Sequence, residues 1–275
     1  MRDLVCTLGG MTEYATSEDG TQIAFDRIGD GPHVMIYVAG ATQHRAGDTF
    51  TLRVAELLGA EFTTLTFDRR GRGESGDTLP YSIDREIDDI AALVAEAGGS
   101  AMLFGHSSGA VLALDAVARD IGISKAALYE APLMTESGAP PAEDGYLISL
   151  TKRLADGDRG GAVELFMQLT GMPNEAITGM REGPWWPALE AVAPTLAYDG
   201  TVMADAQSRP WGVHWAAVTI PILVMNGDQS HAIMGPAAEK LSAVLPNAKH
   251  VVLAGQTHEP RPEVLAPLLA DFFRD

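Results

Sequence analysis

The residues best suited to chemistry form the pentad Gly105-His106-Ser107-Ser108-Gly109, in which a serine stands between two glycines. A short apolar run at 101–104 precedes the pentad, and a stretch with helical periodicity follows it. This strand–turn–helix context predicts a sharp turn that strains the backbone of Ser107 and exposes its hydroxyl as a nucleophile. Glycines at both ends would let the strand and the helix approach closely. The plainer alternative is a Gly-rich helix start with an ordinary surface serine.

A serine hydroxyl is a weak nucleophile unless a base removes its proton. Of the seven histidines, His258 alone lies in a loop directly after the last predicted strand and before a helix. From such a loop the imidazole can lean over the turn that carries Ser107. We therefore expect Ser107 to be the nucleophile and His258 to be its general base.

Attack on a carbonyl group creates an oxyanion, which needs two preorganised backbone N–H donors. One donor is expected from Ser108, the residue after the nucleophile. The second is expected from the loop Ala39-Gly40-Ala41-Thr42, which follows an early apolar strand, and we assign it to Ala41. Gly40 and His44, within and just beyond this loop, are candidate substrate-binding residues.

Strands and helices alternate along most of the chain, which predicts βαβ units and a mainly parallel sheet. An antiparallel hairpin is expected first, at 12–16 and 22–28. Further strands are predicted at 34–38, 63–67, 101–105, 126–129, 222–225 and 250–253, and helices at 49–58, 84–97, 107–121, 235–245 and 262–273.

The alternation stops in the middle of the chain. From residue 132 to about residue 218 the pattern is helical, with Pro and Gly interruptions and no convincing strand. We expect an α/β core formed by residues 1–132 and 219–275, with a helical cap inserted at 133–218.

Together these features resemble the α/β-hydrolase family over essentially the whole chain. The resemblance rests on the pentad, on residues 68–75 (Asp-Arg-Arg-Gly-Arg-Gly-Glu-Ser) after an early strand, and on Gly255-Gln256-Thr257-His258 after the last strand. It implies a mostly parallel eight-stranded sheet flanked by helices, and the catalytic order nucleophile, acid, histidine. Residues 68–75 are similar to a turn common in the family, where the arginines and glycines mostly shape the turn.

The acid that would complete a triad has two candidates. In most family members it follows the strand equivalent to 222–225, where this chain has Ser230 at the usual position and Asp228 two residues earlier. Certain haloalkane dehalogenases and zearalenone-type lactonases instead place a glutamate after the preceding strand, and Glu130 matches that arrangement. A carboxylate buried at a strand end needs a partner such as an imidazolium ion. We expect Glu130 to be the acid, with Asp228 as the alternative.

The cap carries bulky apolar residues that are candidates for lining a pocket: Met134, Phe166, Trp185 and Trp186. Packing of the cap against the sheet is the more ordinary role for most of them. The two adjacent tryptophans cannot both face one way, so at most one would line the cleft. An apolar, partly aromatic pocket predicts an uncharged hydrophobic small molecule as substrate.

Composition limits the remaining possibilities. The net charge of −18 argues against nucleic acid or an anionic membrane surface as a partner. A single cysteine, Cys6, excludes an intrachain disulfide and a thiolate cluster. We see no signal peptide, no transmembrane segment, no phosphate-binding loop and no metal-binding pattern. We therefore expect a cytoplasmic monomer or homodimer without a cofactor.

The function expected is hydrolysis of a carboxylic ester or lactone of a hydrophobic small molecule, through an acyl-enzyme on Ser107. Two alternatives stay open. One is a hydrolase of carbon–carbon bonds in β-diketones or ring-cleavage products, which uses the same triad and the same type of cap. The other is a non-hydrolytic member of the fold, either a cyclase-like catalyst or a ligand-binding protein.

Overall fold

A computed structural model describes residues 12–134 and 143–274. Cys6 lies outside the described residues. The described residues form an eight-stranded sheet in the order β1-β2-β4-β3-β5-β6-β7-β8. Its strands are β1 Glu13–Thr16, β2 Gln22–Ile28, β3 His33–Val38, β4 Phe62–Phe67, β5 Ala101–His106, β6 Ile123–Tyr129, β7 Ile222–Gly227 and β8 Ala248–Leu253.

Helices cover both faces of this sheet. The helices of the core are α1 Thr49–Leu58, α2 Ile83–Glu96, α3 Ser108–Val117, α10 Met234–Val244 and α11 Pro262–Arg274. Between β6 and β7 the chain forms α4 Glu143–Ala155, α5 Arg159–Leu169, α6 Asn174–Arg181, α7 Trp186–Val192, a 3-10 turn Ala193–Thr195, α8 Leu196–Gln207 and α9 Trp211–His214.

The sheet is mostly parallel. Strands β1 and β2 join it in antiparallel pairings, and every later pairing, from β3 with β4 to β7 with β8, is parallel. Because the carboxyl ends of parallel strands lie at one edge, the loops that follow β3, β5, β6, β7 and β8 meet there. The predicted fold class, an eight-stranded mostly parallel sheet flanked by helices, is confirmed.

Alternation along the strands divides the core into two layers. In β3, Ile36 and Val38 pack on the face covered by α2, α3 and α10, whereas Met35 and Tyr37 pack on the face covered by α1 and α11. Both faces of β3 are therefore apolar, which explains why its sequence is a continuous apolar run rather than an alternating one.

The helices inserted between β6 and β7 have a small core of their own. It is built around Tyr146, Leu150, Val163, Trp186 and Leu196. The later part of the insertion packs differently, since its buried residues join the main core of the sheet: Val202, Ala206, Trp211, Trp215 and Val218. Helix α8 thus spans from the core of the cap to the core of the sheet.

Two element boundaries differ from the sequence prediction by three residues or more. Strand β6 begins at Ile123 rather than at 126, because Ser124 and Lys125 are not apolar and the buried-strand pattern misses them. Helix α3 ends at Val117 rather than at 121, since Asp120 and Gly122 adopt positive φ angles of 53° and 90° that a helix does not accommodate.

Among the helices of the described residues, none combines the length and the apolar character needed to cross a bilayer.

The close approach of α3 to β3 gives a test of the fold. A Cβ atom on Gly109 would lie 2.2 Å from the carbonyl oxygen of Val38 and 2.5 Å from that of Ala39. We expect Gly109→Ala to lower the free energy of unfolding by about 1–3 kcal/mol or more, because the backbone must move apart. The control is Gly179→Ala on α6, where nothing lies within 4 Å of the Cβ position. It should raise the free energy of unfolding by about 0.5–1 kcal/mol. Urea denaturation measures both; equal effects would contradict the prediction.

Candidate active site

Ser107 lies at the junction of β5 and α3, and its backbone is strained. Its φ and ψ angles are 57° and −130°, in a region that residues other than glycine rarely occupy. The Ser107 N–H donates to the carbonyl oxygen of Tyr129 over 2.9 Å, which ties the turn to the end of β6. A Cβ atom on Gly105 would lie 2.6 Å from Cα of Ala110, so the strand and the helix meet only because glycine stands there.

His258 and Glu130 are in direct contact. Nδ1 of His258 lies 2.7 Å from Oε2 of Glu130, and the Gly227 N–H donates to Oε1 of the same carboxylate over 2.7 Å. Because an ionised carboxylate only accepts hydrogen bonds, the proton of a neutral His258 is on Nδ1. The lone pair is then on Nε2, the nitrogen through which a histidine serves as general base.

Glu130 is built to stay ionised. It is buried directly after β6 with a positive φ of 51°. Burial alone raises its pKa, but the hydrogen bonds from His258 and from the Gly227 N–H outweigh this effect, so the pKa lies below its ordinary value. The buried Ser230 hydroxyl lies near the same carboxylate and lowers its pKa further, although it is too poorly placed for a regular hydrogen bond.

Asp228 is engaged elsewhere. Its Oδ1 accepts a hydrogen bond from the Gly255 N–H over 2.7 Å and another from the side chain of Gln229. The Asp228 N–H donates to the carbonyl oxygen of Leu253. These contacts close the turn at the start of the His258 loop. The structure therefore brings Glu130, and not Asp228, to His258.

The His258 loop is also held by its backbone. The Tyr129 hydroxyl donates to the carbonyl oxygen of Thr257 over 2.6 Å, and Nε2 of His106 lies 2.8 Å from the carbonyl oxygen of His258. Since a carbonyl oxygen only accepts, His106 must carry a proton on Nε2. A Cβ atom on Gly227 would lie 2.1 Å from the Gln256 carbonyl oxygen, so the loop approaches β7 only across a glycine.

His106 and Tyr129 are positioning residues that the sequence patterns did not single out. The signal available was their place at the carboxyl ends of β5 and β6, next to Ser107 and Glu130. His106 is buried, and burial together with the neighbouring His258 lowers its pKa to about 4. It is therefore neutral at physiological pH and keeps its donor aimed at the His258 carbonyl oxygen.

No hydrogen bond between the Ser107 hydroxyl and Nε2 of His258 forms within the described ranges of the chain. Contacts of this kind commonly tighten only when substrate binds. The arrangement of His258 and Glu130 does not depend on that contact, because both are fixed from β6, β7 and the end of β5.

The loop after β3 lies against Ser107. A Cβ atom on Gly40 would lie 2.9 Å from Cβ of Ser107, so this position tolerates no side chain. The Gly40 N–H donates to Oε1 of Gln43 over 2.7 Å, so it is not free to bind an oxyanion. Ser108 opens α3, where the backbone N–H groups have no helical acceptor and the helix dipole favours negative charge. Ala41 and Ser108 stay our predicted oxyanion donors.

The residues proposed to line the pocket have different surroundings. Trp186 is buried in the core of the insertion, where its indole N–H donates to Glu190, and its contact with substrate stays a prediction. Trp185 is 77% exposed. Phe166 is partly buried against the core of the cap, and Met134 is exposed with its N–H bonded to the side chain of Gln207.

His44 lies beside a cavity of about 640 Å³ whose described lining does not include Ser107. The other walls of this cavity include Phe50, His106 and residues 259–263. Nδ1 of His44 is buried and makes no hydrogen bond to the described residues. In those same residues no group of three His, Cys, Asp or Glu side chains is arranged to hold a metal ion.

Comparison with known proteins gives the same fold and identifies the family. The family model described as the alpha/beta hydrolase family matches residues 35–268. The chain belongs to this family. An alpha/beta hydrolase from Sphaerobacter thermophilus, known from its crystal structure, shares 43% identity and a TM-score of 0.85, covering 95% of this chain and 100% of the other.

Two curated alpha/beta hydrolase relatives have named activities. The 2-(acetamidomethylene)succinate hydrolase of Mesorhizobium japonicum is 26% identical over 254 residues, which cover 89% of this chain and 88% of that protein. The N-formylmaleamate deformylase of Pseudomonas putida is 37% identical over 121 residues, which cover 42% of this chain and 44% of that protein.

The choice of acid is testable with two isosteric variants. We expect Glu130→Gln to lower kcat by roughly 10⁴-fold, the loss found when a triad acid becomes an amide and the histidine takes the wrong tautomer. Asp228→Asn should change kcat little, because the amide oxygen can still accept from Gly255. Steady-state hydrolysis of an activated ester measures both. A larger loss in Asp228→Asn would reverse the assignment.

The low pKa of His106 predicts a pH dependence of stability. An unfolded histidine has a pKa near 6.5, so between about pH 6.5 and pH 4 the unfolded chain binds a proton that folded His106 does not. The stability that His106 contributes is therefore complete above pH 6.5 and is lost as the pH falls through that range.

We expect His106→Gln, which keeps a donor but does not titrate, to lose less stability than the wild type between pH 7 and pH 5. Urea unfolding at both pH values measures the difference. Parallel losses in the two proteins would show that folded His106 is protonated at pH 5 as readily as unfolded histidine, so its pKa is not lowered.

Proposed function

We propose that the protein is a serine hydrolase that cleaves a carboxylic ester or lactone of a small molecule. The observation that carries the proposal is the strained backbone of Ser107. A non-glycine residue at φ 57° costs of order 1–3 kcal/mol, and such strain persists mainly at functional sites. At the start of α3 this conformation presents a hydroxyl beside the two predicted oxyanion donors.

The chemistry proceeds in two stages. Ser107 Oγ attacks the carbonyl carbon while Nε2 of His258 takes the hydroxyl proton, and the N–H groups of Ala41 and Ser108 stabilise the oxyanion. His258 then gives the proton to the leaving alkoxide, which departs and leaves an acyl group on Ser107. Water, activated by His258, hydrolyses this ester and restores the serine.

Glu130 acts through His258 in both stages. Its carboxylate accepts from Nδ1, so it keeps the ring in the productive tautomer and stabilises the imidazolium that forms in each stage. Because the carboxylate also accepts from the Gly227 backbone, its position does not depend on the charge of His258.

A second candidate is hydrolysis of an N-acyl bond. It is favoured by the names of the two curated relatives, which act on an acetamido compound and on an N-formyl compound. The same residues would serve, with His258 protonating a departing nitrogen instead of an alkoxide. We rank it second because the ester has the better leaving group.

The proposal predicts a burst of acylation and turnover with p-nitrophenyl butyrate. Ser107→Ala should lower kcat by at least about 10⁴-fold and abolish labelling by a fluorophosphonate, since the nucleophile is gone. Ser124→Ala is the matched control and should stay active, because the Ser124 hydroxyl donates to the Ala101 carbonyl oxygen, away from Ser107 and His258 in the sequence.

Substrate class is tested with a panel of a γ-lactone, an N-formyl amide and a β-diketone. Preference for the amide would support the second candidate, and preference for the diketone would support the carbon–carbon alternative. A wild type that neither turns over nor reacts with the phosphonate would contradict the proposal.

A further inference from the structure

The turn at 68–75 carries three arginines whose side chains lie in the interior and bind different partners. Arg69, Arg70 and Arg72 are all fully buried. A buried guanidinium ion needs a counter-charge and acceptors for its N–H groups, since desolvation is costly. Arg70 binds Asp89 on α2, whereas Arg69 and Arg72 both donate to carbonyl groups of the loop after β3.

The counter-charge of Arg72 comes from the insertion, and Arg69 is shared between the insertion and Glu86 of α2, which it binds through Nε and Nη2. Asp199 of α8 accepts from Nη1 of Arg69 over 2.7 Å and from Nη2 of Arg72 over 2.5 Å. Its third donor is the Ser108 hydroxyl, which donates to Oδ1 over 2.7 Å. Burial alone raises the pKa of Asp199, but the two arginines hold it below its ordinary value, so the carboxylate is ionised.

Both arginines also bind carbonyl groups of the candidate oxyanion loop, while Nε of Arg72 donates to the Thr195 hydroxyl. Nη1 of Arg72 donates to the carbonyl oxygen of Gly40 over 2.6 Å, and Nη1 of Arg69 donates to that of Ala39 over 3.2 Å. These are charge-assisted bonds, which are stronger than those between neutral groups. They hold the carbonyl groups of the loop towards the buried arginines.

Holding a carbonyl also sets the direction of the next N–H. In a trans peptide the C=O and the N–H point in opposite directions. With the Gly40 oxygen bound to Arg72, the Ala41 N–H points away from the guanidinium. A flipped peptide would aim that N–H at a cation and lose the bond to Arg72, so the arginine selects one orientation.

We propose that Asp199 is a positioning residue that orients both oxyanion donors from the helical insertion. It holds Arg72, which sets the Gly40–Ala41 peptide, and it binds the hydroxyl of Ser108, the residue that supplies the other N–H. This inference rests on the proposed function of Ser107. It implies that the oxyanion hole is complete only while α8 is packed against the sheet.

The test is Asp199→Asn, which keeps the shape of the side chain and removes its charge. We expect kcat for p-nitrophenyl butyrate to fall about 10–100-fold, less than the roughly 10²–10³-fold loss when an oxyanion donor is deleted outright. KM should change less than about threefold, because the donors act mainly on the transition state.

Inhibition by a trifluoromethyl ketone is a second measurement. Its inhibition constant would not change if Asp199 had only a structural role. Ser107 Oγ adds to the carbonyl carbon of the ketone, the hydroxyl proton passes to His258, and the carbonyl oxygen becomes an oxyanion held by the two donors. We expect its inhibition constant to rise in Asp199→Asn by the same factor by which kcat/KM falls.

Asp89→Asn is the matched control. It breaks another buried ion pair of the same turn, Arg70–Asp89, in which both side chains are 0% exposed. The other donors of Arg70 go to Asp19 and to the Arg85 carbonyl oxygen, not to the oxyanion loop. Asp89→Asn should therefore lower the unfolding midpoint without changing kcat or the inhibition constant.

A milder variant keeps the test decisive if Asp199→Asn does not fold. Ser108→Ala removes only the hydroxyl bound to Asp199 and should lower kcat less than Asp199→Asn. Where both variants fold, their effects should not add, because the two side chains are hydrogen-bonded to each other. An unchanged kcat in Ser108→Ala together with loss of folding in Asp199→Asn would assign Asp199 to stability alone and overturn the proposal.

The outcomes separate the two proposals. If wild type is active and Asp199→Asn matches Asp89→Asn in kcat and inhibition constant, the positioning role is wrong and the serine hydrolase proposal stands. If wild type neither hydrolyses the ester nor reacts with a fluorophosphonate at Ser107, both proposals are wrong.

Discussion

The buried carboxylate of Glu130 is the constraint on which the candidate site depends. It lies at the end of β6 in a left-handed backbone conformation, where an uncompensated charge would be costly. His258 and the Gly227 N–H supply the compensation. The same contact draws the last loop of the chain over the sheet, where Tyr129 and His106 bind the carbonyl groups of that loop.

The parallel sheet explains why two positions for the acid can serve one histidine. Strands β6 and β7 are neighbours, and Tyr129 pairs with Met225 in their register. Residues that follow either strand therefore emerge side by side, close to the loop after β8. Here Glu130 takes the contact with His258, while Asp228 stabilises the turn that begins the His258 loop. The usual acid position holds Ser230, whose small side chain leaves room beside Glu130.

Buried charge also connects the insertion to the sheet. Two arginines from one turn, a carboxylate from α8 and the hydroxyl of Ser108 form a network in which every partner is buried. Buried ion pairs contribute little net stability compared with apolar packing, so their value is more in geometry than in energy. The charges hold the loop after β3 in one arrangement, next to Ser107, whose backbone is strained.

The sequence by itself determined the fold class, the strands and helices of the sheet domain, the helical character of the insertion, and the candidate pair Ser107 and His258. These follow from local patterns: periodicity reports which faces are buried, and glycines report where backbones meet. Only the tertiary structure showed that Glu130 contacts His258, placed Trp186 in the core of the insertion and joined Ser108 to Asp199, 91 positions later. Local patterns specify that a charge is buried, but its partner depends on how strands and helices align, which no single segment encodes.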